Sequence, residues 1–157
     1  MNSELHRPIV VGFHESAAAR AALAWAADEA ERIGSDVRVV YVSSASTELA
    51  VASAQVNPDV LRRTASEIIE EKFIHPLRER GLTVLFDVVV GSPATEIMRI
   101  AHAKHASIIV IGMTERGLLS DIVSSTTAHA LRRHAVRPVV AVPAAWCSSE
   151  VLTASGG

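Results

Sequence analysis

The chain has 157 residues, of which 49% are apolar, 20% charged and only 4% aromatic, with a formal net charge of -2. That size and balance describe one globular domain with an aliphatic core, and give no electrostatic reason to expect nucleic acid or an anionic membrane as partner. A single cysteine, Cys147, excludes an intramolecular disulfide and a multi-cysteine metal cluster.

The first residues, MNSELHRP, hold no basic segment followed by an apolar core, so no signal peptide is expected. No apolar run approaches the ~20 residues of a spanning helix. The expectation is a cytoplasmic protein built as one α/β domain over 1–144, followed by a flexible tail over 145–157.

Residues 8–13 (PIVVGF) form a first strand, apolar on both faces as a central parallel strand should be. Ser16 is placed to cap a helix over 17–33, with Leu23, Ala26, Ala27, Ala30 and Ile33 on one stripe and Gly34 as its stop. Trp25 lies off that stripe and is expected to pack under a neighbouring loop. A second strand covers 37–42. The following 43–57, rich in Ser and Ala and without a period, reads as a mobile connection, and such connections often lie near a site.

A helix is expected over 58–80, with Leu61, Ala65, Ile68, Ile69, Lys72, Phe73 and Leu77 on its inner face. Pro76 interrupts it, because an interior proline removes a hydrogen bond and clashes with the preceding turn, so a bend or break is expected near Lys72. Gly81 ends the helix and 83–90 is a third strand. Gly91-Ser92-Pro93 is a tight entry to a helix reaching about residue 104. His102 and His105 suit the C-terminal end of that helix better than a metal site, since no acidic partner is fixed nearby.

The apolar run Ile108, Ile109, Val110, Ile111 is a fourth strand ending at Gly112, with Gly117 marking a loop. The hydroxyl cluster Ser124-Ser125-Thr126-Thr127 then comes just before or inside a helix that closes with Arg132, Arg133 and His134. A strand, a glycine loop and a hydroxyl-lined helix start can hold phosphate on free N–H groups; the same residues also serve as ordinary caps. Residues 138–143 form a fifth strand whose flanking prolines suit an edge. The βαβαβαβαβ alternation implies a doubly wound parallel sheet with helices on both faces, and a ligand site beyond the strand ends where strand order reverses.

IVVGFHES with its alanine-rich helix, VVVGSPATEIMRIAHAKHASIIVIGM, the hydroxyl cluster and RRHAVRPVVAV together resemble the universal stress protein family over nearly the whole chain. The resemblance implies a five-stranded sheet of order 3-2-1-4-5. It also implies a homodimer paired through the last strands, here Val139, Val140, Ala141 and Val142. Members of that family divide into ATP binders and non-binders. In the binding pattern an acidic residue follows strand one; then come glycine, two residues, glycine, about nine residues, glycine, and serine or threonine.

Against that pattern the acid is His14, Gly112 matches the first glycine, Glu115 replaces the second and Ser124 the third, while Ser125 matches the hydroxyl and Thr126 and Thr127 follow. His14 loses bidentate acceptance of ribose hydroxyls. Repulsion between the Glu115 carboxylate and a triphosphate costs more than ~1 kcal/mol even when partly screened. Arg116 alone favours an anion there. Val42 falls where members hold adenine through the backbone, and Phe13, Ile111 and Thr114 complete the candidate pocket.

The reading is a non-catalytic stress-response or regulatory protein with a degenerate nucleotide site and weak or no ATP binding. Its alternative is an ATP- or AMP-binding regulator with a remodelled phosphate loop. An enzyme is not expected: GxGxxG, GxxxxGK[ST] and GxSxG motifs are all absent. The partners expected are a second copy of the chain, a nucleotide and a regulatory protein, with no metal.

Overall fold

A computed structural model describes residues 7–113 and 122–147, with the side chains of 122–126 outside that description. Five parallel strands form one sheet in the order β3-β2-β1-β4-β5, as the resemblance implied. They are β1 (Ile9–Gly12), β2 (Val37–Ser43), β3 (Val84–Val90), β4 (Ile108–Met113) and β5 (Val139–Pro143). The helices between them are α1 (Ala17–Ile33), α2 (Ala45–Ser53), α3 (Pro58–Ile69), α4 (His75–Glu79), α5 (Pro93–Ala103) and α6 (Ile122–His134).

Alternation along the strands divides the core in two. Ile9, Val11, Val37, Val39, Val110 and Val142 face α1 and the α3–α4 arm. Val10, Val40, Ile109 and Ile111 face α5 and Leu131 of α6. Each of these aliphatic side chains is worth about 1.5–3 kcal/mol when fully buried, so the two faces together carry the fold.

The alanines of α1 let it lie very close to the sheet. Ala18, Ala19, Ala22 and Ala26 are buried, and the Ser16 hydroxyl accepts the Ala19 N–H at 3.1 Å as the N-cap. Gly34 closes the helix in the left-handed conformation at φ 68°. The stripe runs out at Ala30: Ile33, expected to face inward, is 43% exposed in the last turn. Trp25 is partly buried against the same cluster.

Two connections differ from expectation. Residues 43–57 are not a structureless link: β2 continues to Ser43, Ser44 caps α2, and a turn with Gln55 at φ 62° leads to α3. No residue of α2 is buried, and a helix that buries nothing writes no hydrophobic period into its sequence. The second difference is at Pro76. The arm over 58–79 does not break; it widens into a π-helical segment, Glu70–Ile74, in which the His75 N–H donates to the Glu70 carbonyl five residues back. Widening there accommodates a residue that cannot donate and whose ring crowds the carbonyl four back. It also turns Ile69 and Ile74, five apart, toward the same core, where both are buried. Leu61, Ile68 and Lys72, expected on the inner face, are exposed.

Beyond β5, the Trp146 N–H donates to the Pro143 carbonyl at 3.0 Å and its ring packs against the α1 cluster. Among the described residues no helix is long and apolar enough to cross a membrane.

Candidate functional site

Strand order reverses between β1 and β4, because the chain winds outward from β1 to β3 and then returns to β4. The crevice beyond the carboxyl ends of β1, β2 and β4 holds a cavity of about 290 Å³, just where such sheets place ligands. Its walls come from Gly12, Phe13 and His14 after β1, from 40–43 at the end of β2, and from Ile111 and Gly112 of β4. Pro93 and Ile97 of α5, Ser44 and Thr47 at the start of α2, and Thr127 of α6 close it.

Six residues expected at the site from sequence therefore line one cavity: Phe13, His14, Val42, Ile111, Gly112 and Thr127. Phe13 contributes differently from the others. Its N–H donates to the Val40 carbonyl at 2.9 Å, extending the β1–β2 ladder, while its ring is buried on the α1 face against Phe73, with centroids 5.0 Å apart. Ser124, Ser125 and Thr126 lie within α6, but their side chains fall outside the described residues, as do Thr114, Glu115 and Arg116 altogether. The hydroxyl cluster thus sits inside the helix rather than ahead of it, and only Thr127 of the four has a described side chain.

The two glycines at the strand ends serve different surfaces. A Cβ on Gly112 would lie 2.5 Å from the Ala18 carbonyl carbon and 2.7 Å from the Ala19 nitrogen. Gly112 is thereby explained by the approach of α1 to β4, without any phosphate. A Cβ on Gly12 would instead lie 2.6 Å from Cδ1 of Ile97, at the cavity wall.

The chemistry of the lining is apolar with hydroxyls. Ile97, Ile111, Val40, Val42 and Pro93 provide flat aliphatic surface, and Ser43, Ser44, Thr47, Thr127 and the His14 imidazole provide hydrogen-bonding groups. Among the described residues the lining carries no carboxylate, lysine or arginine. Also among the described residues, no group of three His, Cys, Asp or Glu side chains is placed to hold a metal.

Ser43, Ser44 and Thr47 escaped sequence reasoning because they lie in the stretch read as a mobile link. The Ser44 hydroxyl accepts the Thr47 N–H at 3.2 Å and lies 2.7 Å from the Thr47 hydroxyl. Nearby, Arg62 of α3 pairs with both Glu48 of α2 and Asp59. The Arg62 hydrogen bond holds the Glu48 carboxyl below its ordinary range.

The family model for universal stress proteins matches residues 6–143. This chain belongs to that family. Among solved structures, universal stress protein UspA from Lactobacillus plantarum superposes with a TM-score of 0.69 at 20% identity, covering 87% of this chain and 97% of that one. A universal stress protein from Archaeoglobus fulgidus, solved in complex with dAMP, gives 0.62 at 20% identity over 88% and 98%. A universal stress protein in complex with cAMP gives 0.59 at 16% identity over 90% and 99%. At such identities the likeness is one of fold. No curated protein matches the chain.

Proposed function

We propose that this universal stress protein is a non-catalytic regulatory member of its family whose cavity takes an adenine nucleoside or monophosphate in preference to ATP. The observation that carries this reading is the character of the described lining: aliphatic walls suited to a planar base, hydroxyls suited to a sugar, and no cation among the described residues to meet a triphosphate. His14 stands at the cavity lip where the family's ATP-binding pattern has an acid. The relatives solved with dAMP and cAMP support an adenine monophosphate as the ligand class. The 290 Å³ cavity is at the small end of ligand pockets, which favours a nucleoside-sized occupant. Glu115 and Ser124, in place of two glycines of that pattern, support weak or absent ATP binding.

The test is calorimetric titration with adenosine, AMP and ATP–Mg²⁺. Adenosine or AMP binding with Kd at or below about 100 μM, and ATP at least tenfold weaker, is the expected result. ATP binding near 10 μM, about -7 kcal/mol, with neutral nucleosides silent, overturns it.

We also propose a homodimer paired through β5, one of the two free edges of the sheet. Val142 is buried in the core and Val139 and Val140 are partly buried, so the pairing would run through backbone groups and the exposed Ala141. Ala141→Lys places a charge at that edge and is expected to yield monomers in sedimentation equilibrium; an unchanged dimer points to another face.

A further inference from the structure

Helix α2 is held to the molecule in an unusual way. It forms part of the cavity wall through Ser44 and Thr47, yet it buries none of its own residues, and Leu49 on its outer side is 70% exposed. Nine residues are too few for a helix to be stable alone in water. Among the described residues its attachments include its two ends and the Glu48 side chain, which also takes a hydrogen bond from Ser43. Ser43 anchors the entry, its carbonyl accepting the Gly91 N–H at 2.9 Å, and the turn with Gln55 in the left-handed region forms the exit. Between them Arg62 of α3 pairs with Glu48, with 25% and 20% of the two side chains exposed.

We infer that α2 is a movable wall of the cavity, latched shut by the Arg62–Glu48 pair, and that Ser44 and Thr47 carry its hydroxyl contacts to the ligand. The second half of this inference rests on the nucleotide reading above; the first does not. The Ser44 hydroxyl accepts the Thr47 N–H and shares a hydrogen bond with the Thr47 hydroxyl at 2.7 Å, so whichever of the two accepts in that bond can turn its proton toward an occupant of the cavity. A ligand sugar bonded there draws on the same group that caps α2, so occupancy and closure favour each other. A single ion pair contributes little in a packed element, but on a helix that buries none of its residues a half-buried pair tethering one side chain decides how often the element is open.

The experiment measures access to the cavity directly. In a Cys147→Ser background, which removes the exposed native thiol, Val42→Cys places a thiol on the cavity wall, and its reaction with an aromatic disulfide reagent is timed. Arg62→Ala and, from the other side of the pair, Glu48→Gln are each expected to speed labelling about fivefold or more. Arg63→Ala, on an exposed neighbour, is expected to leave the rate unchanged. Equal rates in all four chains, with unchanged melting temperatures, overturn the latch.

AMP at about 1 mM is expected to slow labelling at least fivefold with Arg62 intact and less without it. Thr47→Val, which removes the cavity hydroxyl, is expected to weaken that protection relative to the same chain without AMP. If Arg62→Ala speeds labelling but neither AMP nor adenosine slows it in any chain, the latch stands and the nucleotide reading falls. If AMP protects equally with and without Arg62, the coupling between occupancy and closure falls and the nucleotide reading stands.

Discussion

Gly12 and Gly112 sit at the ends of adjacent strands, and the structure separates what each does. Gly112 faces backbone: the nearest atoms to an added Cβ are those of the Ala18–Ala19 peptide, which cannot swing aside as a side chain can. Gly112→Ala should therefore destabilise the fold by about 3 kcal/mol, at the upper end of overpacking costs, read as a lower denaturant midpoint with unchanged m. Gly12 faces the tip of Ile97, which has rotamers available. Gly12→Ala should cost under about 1.5 kcal/mol in stability, yet its methyl enters the cavity and should weaken nucleoside binding more than tenfold. Ile97→Val added to it should restore part of the affinity, as titration would show.

The same pair shows how far the site was legible in the residues alone. Gly112 was found through a phosphate-loop pattern, and it does line the cavity, but packing against α1 accounts for it equally well. His14, Val42, Ile111 and Thr127 line one cavity because strand ends in a parallel sheet converge by topology. Pro93 and Ile97 were not anticipated at the site. They enter it through the packing of α5 over β1, and no local motif records that.

At the scale of elements, α2 and the α3–α4 arm carry the departures from expectation. The Glu48 carboxyl has its pKa lowered by its hydrogen bond to Arg62. A depressed pKa means the tether's contribution is present above the unfolded carboxylate range and is lost as pH falls through the folded value. Labelling of the cavity thiol, corrected for the reagent's own pH dependence, should hence be flat near neutrality and rise on acidification toward the Glu48→Gln rate. With Glu48→Gln in place, that acid-induced rise should vanish.

The π-helical segment makes a further prediction. Removing exposed Lys72 would bring Ile69, Phe73, Ile74 and Leu77 to spacings of 0, 3, 4 and 7, which is one face of an ordinary α-helix. Pro76 would then meet a normal turn. Deletion of Lys72 combined with Pro76→Ala should keep a single cooperative melt within about 4–8 °C of the parent, whereas deletion alone should lose roughly 3 kcal/mol. The sequence showed Pro76 as an obstacle to a regular helix. It could not show that a wider turn, rather than a break, resolves the conflict, because that outcome depends on two isoleucines both finding the core.

Over the whole molecule the architecture was the most legible level. Alternating apolar strands and capped helices, together with the family resemblance, lead to the sheet order observed, since right-handed crossovers leave few alternatives. That order has a consequence for how the chain reaches its final state. β1, β2 and β3 are consecutive neighbours, and so are β4 and β5. The seam between the two groups is the β1–β4 ladder, which runs only from Ile9 opposite Ile108 to Val11 opposite Val110. Those partners lie roughly a hundred residues apart, so this seam carries the largest loop-closure entropy in the sheet and should form late.

The cavity straddles this same seam. A ligand seated there contacts both groups of strands only once they have met, so it stabilises the native state and leaves the folding transition state almost untouched. In stopped-flow experiments, saturating AMP should slow unfolding by the full factor of its stabilisation while the refolding rate stays constant. The cell's nucleotide pool would then set the lifetime of the folded chain as well as the occupancy of its site.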